Sequence, residues 1–251
     1  MTNVILCGCT GRMGKAFCAL ARTHSDIKIV AGIDINTDSA ASDFPIYQTI
    51  SDFPGKADVI VDFSHHSTLP SLIEYSVSTD TPAVICTTGH NTQELALLKE
   101  ASEKVAMFFS GNMSIGINLL MALCRRASET LGVSFDVEII EKHHNKKLDA
   151  PSGTALMLAD AISQTREATE YVYDRHSERR ERSPSEIGIH SVRGGTIVGE
   201  HEVIFAGKDE MITISHTAMS REIFAAGAAR AATFLRGKSA GLYDMSDVIK
   251  M

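Results

Sequence analysis

Basic charge is in short supply along this chain. Asp and Glu outnumber Lys and Arg and leave a formal net charge of -7, whereas proteins that grip nucleic acid usually carry a dominant basic surface to neutralise phosphates. Nucleic acid is therefore not an expected partner, and an anionic ligand needs a locally basic site. Cysteine is sparse and scattered: Cys7, Cys9, Cys18, Cys86 and Cys124 are odd in number and none stands in C-x-x-C spacing. Neither a disulfide framework nor a zinc site is indicated, and the thiols read as reduced. No apolar run approaches the roughly 18 residues of a membrane span. The opening MTNVILCGCT has neither a basic leader nor a long apolar core, so the expected compartment is the cytoplasm, with no membrane contact. No internal repeat or low-complexity linker interrupts the chain.

What is present is enough apolar sequence for a sizeable core. With 251 residues, 44% of them hydrophobic, the chain can form one large domain or two modest ones. Apolar runs at 3–7, 28–33, 58–63, 82–86 and 105–109 lack clean alternation, as expected of strands buried on both faces of a parallel sheet. Helical periodicity falls between them at 12–24, 69–77 and 91–104, where Asn91 with Glu94 three residues on forms a capping-box pattern. This alternation predicts a doubly wound α/β domain. Beyond a helix capped by Ser114 and running to about residue 131, the character changes. Strands at 135–141, 187–192, 197–205 and 211–217 outnumber helices and predict a second, α+β domain with a largely open sheet. The polar stretch 164–186 reads as a solvated loop, and an alanine-rich helix at 221–236 follows it.

Two segments carry chemistry. Gly8-Cys-Thr-Gly11-Arg-Met-Gly14 joins the first strand to the first helix, where small residues let backbone N–H groups and the helix dipole approach a pyrophosphate. Glycines in such a turn can equally serve packing alone. Asp34, 20 residues beyond Gly14 at the end of the second strand, favours a dinucleotide, because a carboxylate there can hydrogen-bond the adenosine ribose. No Arg or Lys directly follows it, so the reading leans to NADH, with Arg12 and Lys15 available for NADPH.

The second segment is Glu141-Lys-His143-His144-Asn-Lys146-Lys147-Leu-Asp149-Ala-Pro151-Ser-Gly153-Thr154. Histidine suits proton transfer near neutrality, and neighbouring lysines attract carboxylates. Pro151 to Thr154 reads as a helix start, with Ser152 as cap and the N–H groups of Gly153 and Thr154 able to hold a carboxylate. The plainer alternative is a pair of strand-end histidines beside a solvated lysine face. A metal held by His65, His66, His143 and His144 is disfavoured, because neighbouring strand residues point to opposite faces.

Taken together, the chain resembles the 4-hydroxy-tetrahydrodipicolinate (dihydrodipicolinate) reductase family over nearly its whole length. The landmarks are Gly8 to Gly14, Asp62-Phe-Ser64, Thr87-Thr-Gly89, Asn112-Met-Ser-Ile-Gly-Ile-Asn118, the segment 138–154, Ser191-Val-Arg-Gly-Gly195, Val198-Gly-Glu-His201 and Gly241-Leu-Tyr-Asp-Met245. The resemblance implies a Rossmann-like domain over 1–111 with 220–251 that binds NADH or NADPH. It implies a domain over 112–219 that binds a small cyclic dicarboxylate and joins chains into a homotetramer. Gly8, Cys9, Thr10, Gly11, Arg12, Met13, Asp34, Cys86, Thr87, Thr88, Ser110, Gly111, Asn112 and Met113 are implied at the cofactor. His144, Lys147, Gly153 and Thr154 are implied at the substrate, with His143 as proton donor and Lys147 as a second catalytic residue. No metal is implied. Cys86 stands where the family usually has Gly, Met113 where Phe is common, and Lys146 where His is frequent; none of these removes a core chemical group. A non-catalytic dinucleotide sensor would need the glycine turn but not His143 and Lys147 together. An unrelated dehydrogenase would not need the carboxylate-binding helix start.

Overall fold

The structure is a computed structural model that describes residues 1–37 and 42–249. The chain runs β1 (Thr2–Cys7), α1 (Arg12–Thr23), β2 (Ile27–Ile33), β3 (Ile46–Tyr47), β4 (Val59–Asp62), α2 (Leu69–Thr79), β5 (Ala83–Ile85), α3 (Thr92–Ser102) and β6 (Ala106–Phe109). It continues through α4 (Ile115–Leu131), β7 (Asp136–His143), α5 (Gly153–Ser163), β8 (Glu170–Val172), β9 (Glu186–Arg193), β10 (Gly199–Ala206) and β11 (Met211–Ala218). Then come α6 (Glu222–Leu235), β12 (Gly241–Tyr243) and α7 (Met245–Ile249). Two compact units result, one from Met1–Ile115 with the chain from Arg221, the other from Gly116–Ser220.

The first unit is a seven-stranded sheet in the order β12-β6-β5-β4-β1-β2-β3, with every neighbouring pair parallel. From β3 to β6 this is the doubly wound 3-2-1-4-5-6 order, which reverses between β1 and β4 and leaves a ligand crevice at the strand C-termini there. Strand β1 shows why its sequence does not alternate. Val4 and Leu6 pack with Phe17 of α1 and the alanines of α6, while Ile5 and Cys7 pack on the other face with Leu72 of α2 and Leu98 of α3. The capping box at the start of α3 is formed, with Asn91 and Glu94 exchanging side-chain and backbone bonds of 2.9 and 2.8 Å.

The second unit is a five-stranded sheet in the order β11-β10-β7-β9-β8. Strand β10 pairs antiparallel with β7 and β11, whereas β9 pairs parallel with β7 and β8. Val137, Ile139, Ile187, Ile189, Val203 and Phe205 lie under α4 and α5 as one core. The strands between them alternate buried with partly exposed residues, so one face is covered and the other open.

The stretch 164–186 departs from the solvated loop expected of it. It contains β8, and its arginines reach back to acids of β7 and β9. Arg175 bonds both Glu138 and the fully buried Glu186, Arg180 also bonds Glu186, and Arg182 bonds Asp136 at 2.6 Å and Glu138 at 3.0 Å. Charge runs look solvated when partners far off in sequence are invisible. The short strands β3, β8 and β12 were likewise unread, because they lack the continuous apolar run that marks the equally short β5.

Candidate active site

The first unit brings the glycine turn and Asp34 together. Gly8 adopts φ +72°, and a Cβ there would stand 2.5 Å from the Phe63 carbonyl oxygen. A Cβ on Gly14 would fall 2.2 Å from the Gly8 oxygen and 2.6 Å from Cys9 Cα. The turn is thus packed against its own helix as tightly as backbone allows. Helix α1 has Gly11 at its cap, no side-chain capping bond and no acid in its first turn. Its N–H groups and dipole therefore face outward without a competing anion, which fits a pyrophosphate. Asp34 accepts the Thr10 N–H at 2.9 Å and the Asn36 N–H at 3.2 Å, which ties the turn to the tip of β2. A cavity of about 490 Å³ opens here, lined among others by Gly8, Thr10, Gly11, Asp34, Ser64 and His65.

Apart from Arg12 and Met13 at the start of α1, the other cofactor candidates lie on loops at the same end of the sheet, and several offer backbone only. The Cys9 and Met113 side chains are buried in the core around α6, and burial pushes the Cys86 thiol well above its ordinary range. Thr87 donates its hydroxyl to Asp62 Oδ2 at 2.6 Å, while Thr88 and Gly111 are exposed. Ser110 and Asn112 build the turn into α4, Ser110 Oγ donating to the Asn112 carbonyl at 2.8 Å and Asn112 Oδ1 accepting the Ser114 N–H at 2.8 Å. Arg12 is exposed and Met13 half-buried. Asp62 carries a role the sequence did not reveal. Burial raises its pKa, against the hydroxyls of Ser64 and Thr87, and it knots the tips of β4 and β5.

In the second unit, His143 and Glu141 continue along β7 the inward face that Val137 and Ile139 begin. Glu141 is fully buried and accepts from His143 Nδ1 at 2.6 Å, the Ser152 N–H at 3.1 Å, and both terminal nitrogens of Arg193 at 2.7 and 2.6 Å. Burial alone would raise its pKa. Bonds from Arg193, His143 and Ser191, together with the Arg193 charge, outweigh it and hold the carboxyl at about 2. An ionised acceptor against Nδ1 fixes the proton there, leaving Nε2 as the reactive position of His143. Gly199 lies across from that atom; a Cβ on it would come within 3.1 Å of Nε2.

The loop and helix beyond β7 surround this pair with polar groups. Ser152 caps α5, its hydroxyl accepting the Ala155 N–H at 3.1 Å and meeting His201 Nε2 at 2.9 Å. Burial holds His201 at a pKa of about 4, and its ring lies edge-on to His143 with centroids 5.2 Å apart. Lys147 Nζ is 2.9 Å from Asp149. His144 is half-buried with Nδ1 lacking a hydrogen-bond partner, Gly153 is exposed and begins α5, and Thr154 follows half-buried. No three or more His, Cys, Asp or Glu residues are placed to hold a metal, and no helix is long and apolar enough to cross a membrane, among the described residues.

Comparison with known proteins decides the family. The family description "Dihydrodipicolinate reductase, N-terminus" matches residues 2–113, and "Dihydrodipicolinate reductase, C-terminus" matches 116–249. The chain belongs to the dihydrodipicolinate reductase family. The 4-hydroxy-tetrahydrodipicolinate reductase of Caldanaerobacter subterraneus subsp. tengcongensis is 51% identical over 251 residues, covering 100% of this chain and 99% of that one. That of Clostridium tetani is 48% identical over 246 residues, covering 98% and 96%. A dipicolinate-bound dihydrodipicolinate reductase from Paenisporosarcina sp. TG-14 superposes with a TM-score of 0.82 at 25% identity, over 99% of each chain. For this dihydrodipicolinate reductase family member, the Rossmann-like sheet and the α+β unit are the architecture the sequence led one to expect. Sequence reasoning had Glu141, Arg193 and His201 inside its motif stretches but gave none of them a role. The available signal was a polar residue at core-facing parity: Glu141 follows Val137 and Ile139 at period two, and His201 precedes Val203 and Phe205 likewise.

Proposed function

We propose that the first unit holds the dinucleotide, that the second holds the substrate, and that His143 is the proton donor, with Lys147 as its cationic partner. The reaction is reduction of (hydroxy)tetrahydrodipicolinate in lysine and diaminopimelate biosynthesis by NAD(P)H, as membership of the family establishes. The observation that carries the assignment of roles is the 2.6 Å bond from His143 Nδ1 to Glu141, because it reserves Nε2 for the transferable proton.

The hydroxylated ring loses water to become a conjugated imine. Bound NAD(P)H supplies hydride to it. Lys147 and the α5 N-terminus at Gly153 and Thr154 neutralise the ring carboxylates, His144 adds a polar contact, and His143 Nε2 releases its proton as negative charge builds on the ring. Free of ligand, His143 is held below its ordinary pKa chiefly by burial; two substrate carboxylates nearby favour the imidazolium and charge the donor when it is needed.

NADH is the favoured cofactor. Asp34 is followed by Ile35 and Asn36 rather than a cation, so its carboxylate suits a ribose hydroxyl and opposes a 2′-phosphate. Comparison of kcat/KM for NADH and NADPH at matched ionic strength should give NADH at least parity. A strong NADPH preference that persists in Asp34→Ala would assign the pocket to Arg12 or Lys15 instead. The open face of the second sheet supports a homotetramer, and free thiols with a reduced dinucleotide support a cytoplasmic setting.

The roles are tested by adding freshly generated hydroxylated substrate to purified protein and NADH. Oxidation should depend on the substrate, and His143→Gln should lower kcat by about 10²–10⁴-fold with little change in KM, the usual range for lost proton transfer. Near-normal kcat with lost NADH binding would place His143 in the cofactor pocket and sink the assignment.

A further inference from the structure

Glu141 touches more of the substrate side than any residue to which a role has been given. One oxygen, Oε2, accepts from His143 Nδ1 and Arg193; the other, Oε1, accepts from Arg193 and from the backbone N–H of Ser152. A carboxylate has about four lone-pair sites, and these bonds leave none of them free. Arg193 in turn donates to the Asp149 carbonyl at 2.6 Å, so the loop carrying Lys147 hangs from the same clamp. The register shows that this is built rather than incidental. Arg193 is the cross-strand partner of His143, and Ser191 that of Glu141. On the far side His201 is the partner of Glu141, and it holds the Ser152 hydroxyl.

We propose that Glu141, clamped by Arg193, is a positioning residue for the reduction: its single carboxylate sets the tautomer of His143 and the placement of the α5 N-terminus together. The inference rests on the reading of His143 as proton donor and of the α5 start as carboxylate site. The consequence is a coupling between two tasks. A proton donor and an anion site held by separate groups drift independently, whereas here a shift in one oxygen of Glu141 moves the partner of the other. Geometry of this kind matters because sub-ångström misplacement already lowers turnover. An orienting carboxylate behind a histidine is also worth far more than its hydrogen bond, since losing it permits the wrong tautomer.

The charged and titratable groups facing His143 are Glu141 on its own strand, Arg193 on β9, His201 on β10 and Lys147 on the following loop. Among them Glu141 alone raises the basicity of His143. Glu141→Gln therefore has a signature that a merely structural residue lacks. It should lower kcat on the order of 10²-fold or more and raise the KM for substrate. It should also move the alkaline limb of kcat/KM to lower pH, while NADH affinity stays within about twofold, since no atom of Glu141 lies in the first unit. A limb left in place with kcat within about twofold of wild type would overturn the proposal.

His143→Gln in the same series separates the two ideas. If His143→Gln is inert as well, the proton-donor reading falls; if it collapses kcat while Glu141→Gln does not, only the positioning role falls. Should Glu141→Gln fail to fold, the unmodified protein gives the answer by ¹⁵N-histidine resonance, with His143→Gln identifying the signal. Neutral His143 is expected in the Nδ1–H form, and an Nε2–H form would overturn the inference.

Discussion

Burial lowers the basicity of His143, Glu141 raises it, and Lys147 and Arg193 lower it again, leaving the ring less basic than free histidine. The sign of the resulting pH dependence can be worked out for each kinetic constant. A general acid acts in its protonated form, so kcat/KM, which reports the free enzyme, should fall as pH rises through a value below the ordinary histidine range. The bound dicarboxylate brings negative charge close to the ring and restores basicity, so kcat, which reports the complex, should fall at higher pH than kcat/KM. Steady-state profiles between pH 5 and 9 measure both limbs. Coincident limbs, or a kcat limb below that of kcat/KM, would mean that His143 does not feel the substrate's charge. The sequence singles out His143 as a candidate proton donor because its residue type and basic neighbours are local. It could not supply Glu141 with Arg193, which stand 52 positions apart and meet only through the parallel pairing of β7 with β9.

At the scale of elements, legibility followed length and locality. The runs that became β1, β2, β4, β5 and β6 were readable because strands buried on both faces are apolar throughout. Helix α3 was readable because Asn91 and Glu94 write their cap within four positions. The arginines of 175–182 were misread because their acids sit on β7 and at the start of β9, where each alternates with core residues. The strand-turn-helix of β1 and α1 gives the sharpest test of an element. A Cβ on Gly14 meets backbone atoms of Gly8 and Cys9, and neither can rotate away, so Gly14→Ala must push α1 off the turn. Overpacking of this kind typically costs about 1–3 kcal/mol. It should appear as an earlier urea midpoint and, on the proposed docking of the pyrophosphate at the α1 N–H groups, as NADH binding weakened roughly tenfold or more. Unchanged NADH titration and midpoint would show that the turn tolerates the side chain and that its closeness serves neither packing nor ligand.

For the whole molecule, the open question is what lies against the uncovered face of the second sheet. The register places Ile140 on β7, Ile204 on β10, Val192 on β9 and Met211 on β11 opposite to the residues that α4 and α5 cover. Val192 and Met211 are 45% and 65% exposed. Charges share this face, Lys142 pairing with Glu200 at 3.1 Å, so it is mixed rather than oily, as in sheets that meet another subunit through a polar-rimmed apolar centre. The antiparallel strands β7, β10 and β11 can also simply face water on one side, and assembly decides between the two. Light scattering should give a mass four times that of one chain. Ile204→Asp, which sets a charge on β10, between β11 and β7, without touching the covered face, should yield smaller species. NADH binding should survive in that variant, since the turn proposed for the dinucleotide belongs to the other unit. A monomeric wild-type protein with full activity across the working concentration range would refute the tetramer and leave this face as ordinary solvated sheet.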